Sequence, residues 1–130
     1  MIEVTAAVIE SDGRILICLR REGKRFGGLW EFPGGKTEPG ETPEEGLRRE
    51  IREELDLEID IGKRIGSYPY GDPPDGIALT AFFARPQRKT PEFVLKEHVE
   101  ARWVSPEELG RFDFAPADRP FVAILRKAEG

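Results

Sequence analysis

Three glutamates, Glu50, Glu53 and Glu54, sit within the run Arg49-Glu50-Ile51-Arg52-Glu53-Glu54. On a helix, at about 100° per residue, they share an arc of roughly 100° on one face. Carboxylates so crowded repel one another by roughly a few tenths of a kcal/mol per pair, and a cation offsets that repulsion. Oxygen ligands with no Cys and no group of His residues beside them select a hard divalent ion, Mg²⁺ or alternatively Mn²⁺. Upstream lies Phe32-Pro33-Gly34-Gly35-Lys36, whose glycines permit close backbone approach. Arg20, Arg21, Lys24 and Arg25 concentrate positive charge just before it, and phosphate oxygens need such partners. A charged helix face is most often only solvated. Here the adjoining glycine loop and the spacing of the whole segment point to a metal-bound diphosphate instead.

The helix that carries the glutamates has well-marked limits. Thr42 is placed to cap it, Pro43 suits the first helical position, and Glu45 completes a capping box. Leu47, Ile51 and Leu55 recur every four residues beside the acidic face, so one side is anchored in a core while the glutamates look into a cleft. Gly46, a costly residue inside a helix at up to about 1 kcal/mol relative to alanine, leaves room for the preceding loop to pack. Arg49 has Glu45 four residues before it and Glu53 four after, and is expected to orient glutamates through ion pairs with them. Asp56 ends the helix, since aspartate tolerates the left-handed conformation that a helix stop often needs.

The pattern of Gly35, Glu41 and Arg49-Glu50-Ile51-Arg52-Glu53-Glu54-Leu55-Asp56-Leu57 resembles the box of the Nudix hydrolases, with Asp56 standing where that box has glycine. Leu29-Trp30-Glu31-Phe32-Pro33-Gly34-Gly35-Lys36 is similar to the MutT type within the family, which splits nucleoside triphosphates into monophosphate and pyrophosphate. The likeness continues through Glu97-His98 and Phe114-Ala115-Pro116-Ala117-Asp118-Arg119-Pro120. It implies metal ligation by Glu50, Glu53, Glu54, Glu97 and the carbonyl of Gly34, with the four glutamates forming the catalytic set. It implies substrate contacts from Arg21, from Phe32, Pro33, Gly34, Gly35 and Lys36, and from Asp118. Glu41 serves the loop or ligates directly, and Glu100 is the alternative to Glu97 as the outer ligand. Asp118 either recognises the base or caps the last helix. If ionised, its carboxylate only accepts hydrogen bonds, which favours cytosine or a modified purine. Related sites accept nucleotide sugars, dinucleoside polyphosphates or capped RNA ends, so the group beyond the diphosphate stays open.

The 130 residues, 38% hydrophobic and 35% charged, are expected to form a single domain spanning 1–130, with a core that needs no staples. Neither a signal-peptide pattern nor an apolar run of membrane-spanning length occurs, so cytoplasm is the expected compartment. A net charge of −5 argues against binding long nucleic acid, leaving a small nucleotide as the expected partner of a monomer or homodimer. Cys18 is the only cysteine and lies in an apolar run, as a buried structural thiol would. His98, the only histidine, is better suited to orienting or packing than to catalysis, and Trp30 and Trp103 to the core. A calcium loop of EF-hand type lacks its alternating ligands. A non-catalytic nucleotide sensor would carry a broken acidic cluster, and this one is intact.

Strands are expected over Ile2 to Ile9, Arg14 to Leu19, Leu29 to Phe32, Leu57 to Tyr68, Ile77 to Arg85 and Ala101 to Val104. A short helix begins at Ser105 and a last one covers Phe121 to Lys127. Pattern alone gives an α/β or α+β class. The resemblance narrows this to a Nudix-type α/β/α sandwich with a mixed sheet.

Overall fold

A computed structural model describes residues 1–89 and 91–129. Its strands are β1 (Ile2–Ser11), β2 (Arg14–Leu19), β3 (Trp30–Glu31), β4 (Gly34–Lys36), β5 (Ile59–Tyr70), β6 (Ile77–Pro86) and β7 (Glu100–Val104). Helix α1 spans Pro43–Leu55 and α2 spans Arg119–Glu129, with 3₁₀ turns at Pro106–Arg111 and Pro116–Asp118. β1 is the hub. It runs parallel to β6 and antiparallel to β2 and β4, while β2 also pairs with β3 and β7, and β5 closes onto β6.

The residues Ala6, Ala7, Val8 and Ile9 are all buried because alternate side chains of β1 serve opposite faces of the sheet. Ala6 and Val8 pack with Phe121 and Leu125 of α2, and Ala7 and Ile9 with Leu47, Ile51 and Leu55 of α1. One helix covers each face, which is the expected α/β/α sandwich. The three α1 side chains are completely buried, each stabilising the fold by roughly 1.5–3 kcal/mol. Cys18 lies in the same layer, fully buried, and burial pushes its thiol well above the ordinary range. No helix among the described residues is long and apolar enough to cross a membrane.

The limits of α1 follow its local chemistry. Thr42 Oγ1 accepts from the Glu45 N–H at 3.1 Å, and Glu45 Oε1 accepts from the Thr42 N–H at 2.9 Å. At the other end Asp56 adopts φ 53° and ψ 39°, its N–H donating to the Arg52 carbonyl. Several boundaries shift from the expected ones. The strand near Trp30 is only two residues long, and a separate strand forms at Gly34–Lys36, where glycines gave no strand pattern. The short helix expected from Ser105 forms, capped by Ser105 and Glu108, with 3₁₀ geometry over Pro106–Arg111, and α2 starts two residues before Phe121. β5 begins and ends two residues later than expected, with irregular register near Arg64.

Candidate active site

A cleft of about 530 Å³ opens beside the acidic face of α1. Its lining includes Glu50, Glu53 and Glu54 from α1, Gly34, Gly35 and Lys36 from β4, and Glu97 and His98 from the segment before β7. Arg20, Arg21, Lys24 and Arg25 contribute positive charge, and Phe32, Leu79, Ala115, Ala117 and Asp118 supply a less polar wall. Of the residues expected at a site, Pro33 alone is absent. It is fully buried beneath the cleft, its carbonyl accepting from the Ala7 N–H at 2.8 Å, because β4 must pair with β1 at this point. Trp30 and Trp103 pack in the core, as expected.

The β4 backbone lies against both β1 and the acidic helix face. An ideal Cβ on Gly34 would overlap the Thr5 carbonyl, and one on Gly35 would meet Glu50 Cδ at 2.5 Å. Gly46 fits the same logic, since a Cβ there would sit 3.0 Å from Glu41 Oε1 and 3.4 Å from Thr37 Cα. Arg49 ties these pieces together. Its Nε donates to Glu41 Oε2 at 2.7 Å, its Nη1 to Glu50 at 3.0 Å and Glu53 at 3.2 Å, and its Nη2 to the Lys36 carbonyl at 3.0 Å. Glu45, the other expected partner, is absorbed by the capping box, and Glu41 takes its place. Glu41 also accepts from the Glu38 N–H at 2.8 Å, so its carboxylate braces the loop. The Arg49 hydrogen bonds and that backbone N–H hold its pKa below the ordinary value.

Glu54 differs from its neighbours. Its Oε2 is buried and without a hydrogen-bond partner. Burial, with Glu31, Glu50 and Glu97 nearby, pushes its pKa up to about 9. Glu97 is exposed and pairs with Lys24 at 3.0 Å, which holds its pKa below the ordinary range. Glu100 lies on β7, paired with Arg102 and outside the cleft lining.

Asp118 is 6% exposed, and its Oδ2 accepts from the Phe32 N–H at 2.8 Å. Burial, reinforced by Glu31, pushes its pKa up to about 8 despite that hydrogen bond. A shift in that direction favours the protonated carboxyl, which can donate as well as accept, over the accept-only carboxylate. Its known hydrogen bond reaches across the fold to Phe32 rather than to the α2 terminus.

A family model described as the NUDIX domain matches residues 1–125. The chain belongs to the Nudix hydrolase family. Among relatives of this Nudix chain is a protein of Escherichia coli (strain K12) named CTP pyrophosphohydrolase, 41% identical over 94% of this chain and 89% of that protein. Another, from Mycobacterium tuberculosis, is named putative 8-oxo-dGTP diphosphatase 2 and is 34% identical over 95% of this chain and 87% of its own length. The solution structure of the E. coli ORF135 protein superimposes with a TM-score of 0.85 at 38% identity, covering 100% of this chain and 91% of that one.

Nudix hydrolases generally work with a divalent metal. The residues here fit one in two respects: every candidate donor is a hard oxygen, and the buried, unpartnered Glu54 Oε2 faces a crowd of negative charge that a cation would neutralise. Among the described residues no three acidic, His or Cys side chains stand in ready ligation geometry. Glu50 and Glu53 turn instead to Arg49, and Glu97 to Lys24. Among the lining residues of this Nudix site outside the candidate set, Glu31 has the most charged partners. Glu31 lines the cleft, pairs with Arg20 at 2.7 Å and His98 at 2.7 Å, and acts on the pKa of both Glu54 and Asp118. Its signal was a lone carboxylate between Trp30 and Phe32 in a strand otherwise apolar.

Proposed function

We propose that this Nudix hydrolase splits a nucleoside triphosphate, CTP or an oxidised or otherwise modified dNTP, into the monophosphate and pyrophosphate with Mg²⁺, for which Mn²⁺ can substitute. The observation that carries the reading is the convergence on one cleft of the α1 carboxylates, the basic β2–β3 loop and the buried acid Asp118. The name of the relative at 41% identity supports CTP as the first substrate to try. The chain is read as a single domain over residues 1–130 that acts in the cytoplasm, as monomer or homodimer, on free nucleotides rather than long nucleic acid or membranes.

In this reading Glu50, Glu53, Glu54, Glu97 and the Gly34 carbonyl hold the metal, which when bound neutralises phosphate oxygens and acidifies water. Arg21 and Lys24 counter further phosphate charge, and the Gly34-Gly35-Lys36 backbone lets the polyphosphate approach α1 closely. Arg49 fixes Glu50 and Glu53 relative to β4. Glu53, whose side chain is 59% exposed against 18% for Glu50, is read as the carboxylate that meets an attacking water. Phe32, Ala115 and Ala117 enclose the base beside Asp118.

A panel of normal and oxidised nucleoside triphosphates, nucleotide sugars and dinucleoside polyphosphates tests the substrate class. Triphosphates are expected to turn over fastest, whereas hydrolysis confined to the sugars or dinucleotides would remove the reading. For the outer ligand, Glu97→Gln is expected to slow turnover at least about tenfold and to weaken its dependence on Mg²⁺. Glu100→Gln is expected to change little. The reverse pattern, measured as rate against metal concentration, would show that Glu97 is the wrong residue.

Asp118 sets a pH-dependent expectation for base choice. Below pH 8 the protonated carboxyl accepts from Phe32 and can also donate to a base carbonyl, and above it only acceptors remain. Asparagine copies the protonated form at every pH. Asp118→Asn is therefore expected to rank cytosine and oxidised-guanine substrates much as the parent does at pH 6.5, and to diverge by about tenfold at pH 9, where a hydrogen bond is lost. Ratios of kcat/KM that stay parallel across this range would argue against recognition by this side chain.

A further inference from the structure

Glu97 stands in a short segment that is docked on both sides of it. The Val94 and Lys96 N–H groups donate to the Leu55 and Glu54 carbonyls at 2.8 and 3.1 Å, and the Val99 N–H donates to the Leu19 carbonyl at 3.0 Å. Only Glu97 and His98 lie between the inner pair of anchors. The Glu97 carboxylate lines the cleft, where it pairs with Lys24 at 3.0 Å, and is exposed, whereas His98 is 6% exposed. His98 Nε2 lies 2.7 Å from Glu31 Oε2. A carboxylate accepts, so Nε2 carries the hydrogen and donates. Glu31 is itself a fixed post: β3 pairs with β2 at Cys18 and Leu19, and Arg20 Nη1 grips the other carboxylate oxygen at 2.7 Å. Arg20 in turn donates through Nε to the Arg25 carbonyl at 2.9 Å.

We propose that His98 is a positioning residue which, by its hydrogen bond to the Arg20-braced Glu31, sets the direction of the Glu97 carboxylate. The proposal rests on the reading that Glu97 serves the metal-dependent reaction. A direct proton-transfer role does not fit the ring, because Nε2 is spent on Glu31 and Nδ1 is buried without a partner. The ends of the segment have backbone anchors of their own at Lys96 and Val99, which do not involve the imidazole. What the imidazole adds is control of rotation at the two residues between them, and a misplacement of about 1 Å at a reacting group can cost about a hundredfold in rate.

The test uses His98→Asn, His98→Gln, Glu97→Gln and the double variant H98N/E97Q, with CTP and Mg²⁺ for kinetics and Mn²⁺ titrated into the nucleotide-free protein by electron paramagnetic resonance. A glutamine amide reaches the place of Nε2, and an asparagine amide does not. H98N is expected to lose at least about tenfold in kcat with KM within about threefold, to bind Mn²⁺ more weakly, and to melt near the parent. H98Q is expected to recover most of the loss. In the double variant the H98N effect should vanish on the E97Q background, in both kcat and Mn²⁺ affinity, because the two residues act as one unit. Losses that multiply in the double variant overturn the proposal, as does a folded H98N with parental kcat. An H98N effect confined to KM and base preference also overturns it, by placing the action at Glu31 and the base. Parental kcat in E97Q would instead remove the reading of Glu97 on which the proposal stands. If H98N melts below the assay temperature, His98→Phe fills the same buried space without a donor and carries the same expectations.

Discussion

Glu53→Gln and Glu54→Gln are each expected to lower turnover of CTP by at least about a hundredfold, the usual worth of a positioned charge or base in a site of this kind. Both variants should fold. Glu53 lies on the exposed edge of the Arg49 network, so its removal should leave metal-free melting nearly unchanged. Glu54 behaves differently, because its folded pKa of about 9 stands far above the ordinary carboxyl value of 4.5. The folded protein then binds more protons than the unfolded chain, and stability falls as pH rises between those values. Below pH 4.5 Glu54 imposes no such burden, and near pH 9 the burden is complete. Glu54→Gln should therefore raise the metal-free melting temperature, with a gain that grows from pH 5 to pH 9. Near-parental turnover in either folded variant would contradict the assigned site.

The second large expectation separates the adjacent glycines of β4. Gly34→Ala places a methyl against the Thr5 carbonyl within the β1–β4 pairing, where backbone stands on both sides and neither can yield cheaply. It is expected to cost about 3 kcal/mol or more, beyond ordinary overpacking because it breaks the ladder as well. Gly35→Ala meets the Glu50 carboxylate instead. A side chain can move, so melting should change little, but Glu50 is held by Arg49 and has to leave its position to make room. Turnover should fall at least about tenfold. Thermal melting and kcat measured on both variants check this. Equal melting for the two would contradict the account of β4, and parental turnover for Gly35→Ala would contradict the placement of Glu50.

The parts that were legible in the sequence are those whose cause is local. The capping box at Thr42 and Glu45, the left-handed Asp56, the buried stripe of Leu47, Ile51 and Leu55, and the loop room at Gly46 all depend on neighbours within a few residues, and each stands as expected. What stayed hidden is set by contacts across the fold. β4 exists because its backbone fills a free edge of β1, and Gly-Gly-Lys shows no alternation to announce it. The choice of Arg49 for Glu41 over Glu45 depended on Glu45 being consumed by the cap. The raised pKa of Asp118 follows from burial and from Glu31, 87 positions earlier in the chain. Glu31 itself gained its meaning only when β3 was laid beside Arg20 and His98. The acidic motif was sufficient to place the carboxylates on one helix face. It announced the pair of Arg49 with Glu53, but neither the hold of Arg49 on Glu50 nor the one of Lys24 on Glu97.

Phosphorus-31 NMR of CTP incubated with the protein, with Mg²⁺ and again with the metal chelated, addresses the central reading most directly. CMP and pyrophosphate are expected as the products, formed only when the metal is supplied. CDP with inorganic phosphate, unchanged rates after chelation, or CTP left intact while a nucleotide sugar is consumed would each contradict it.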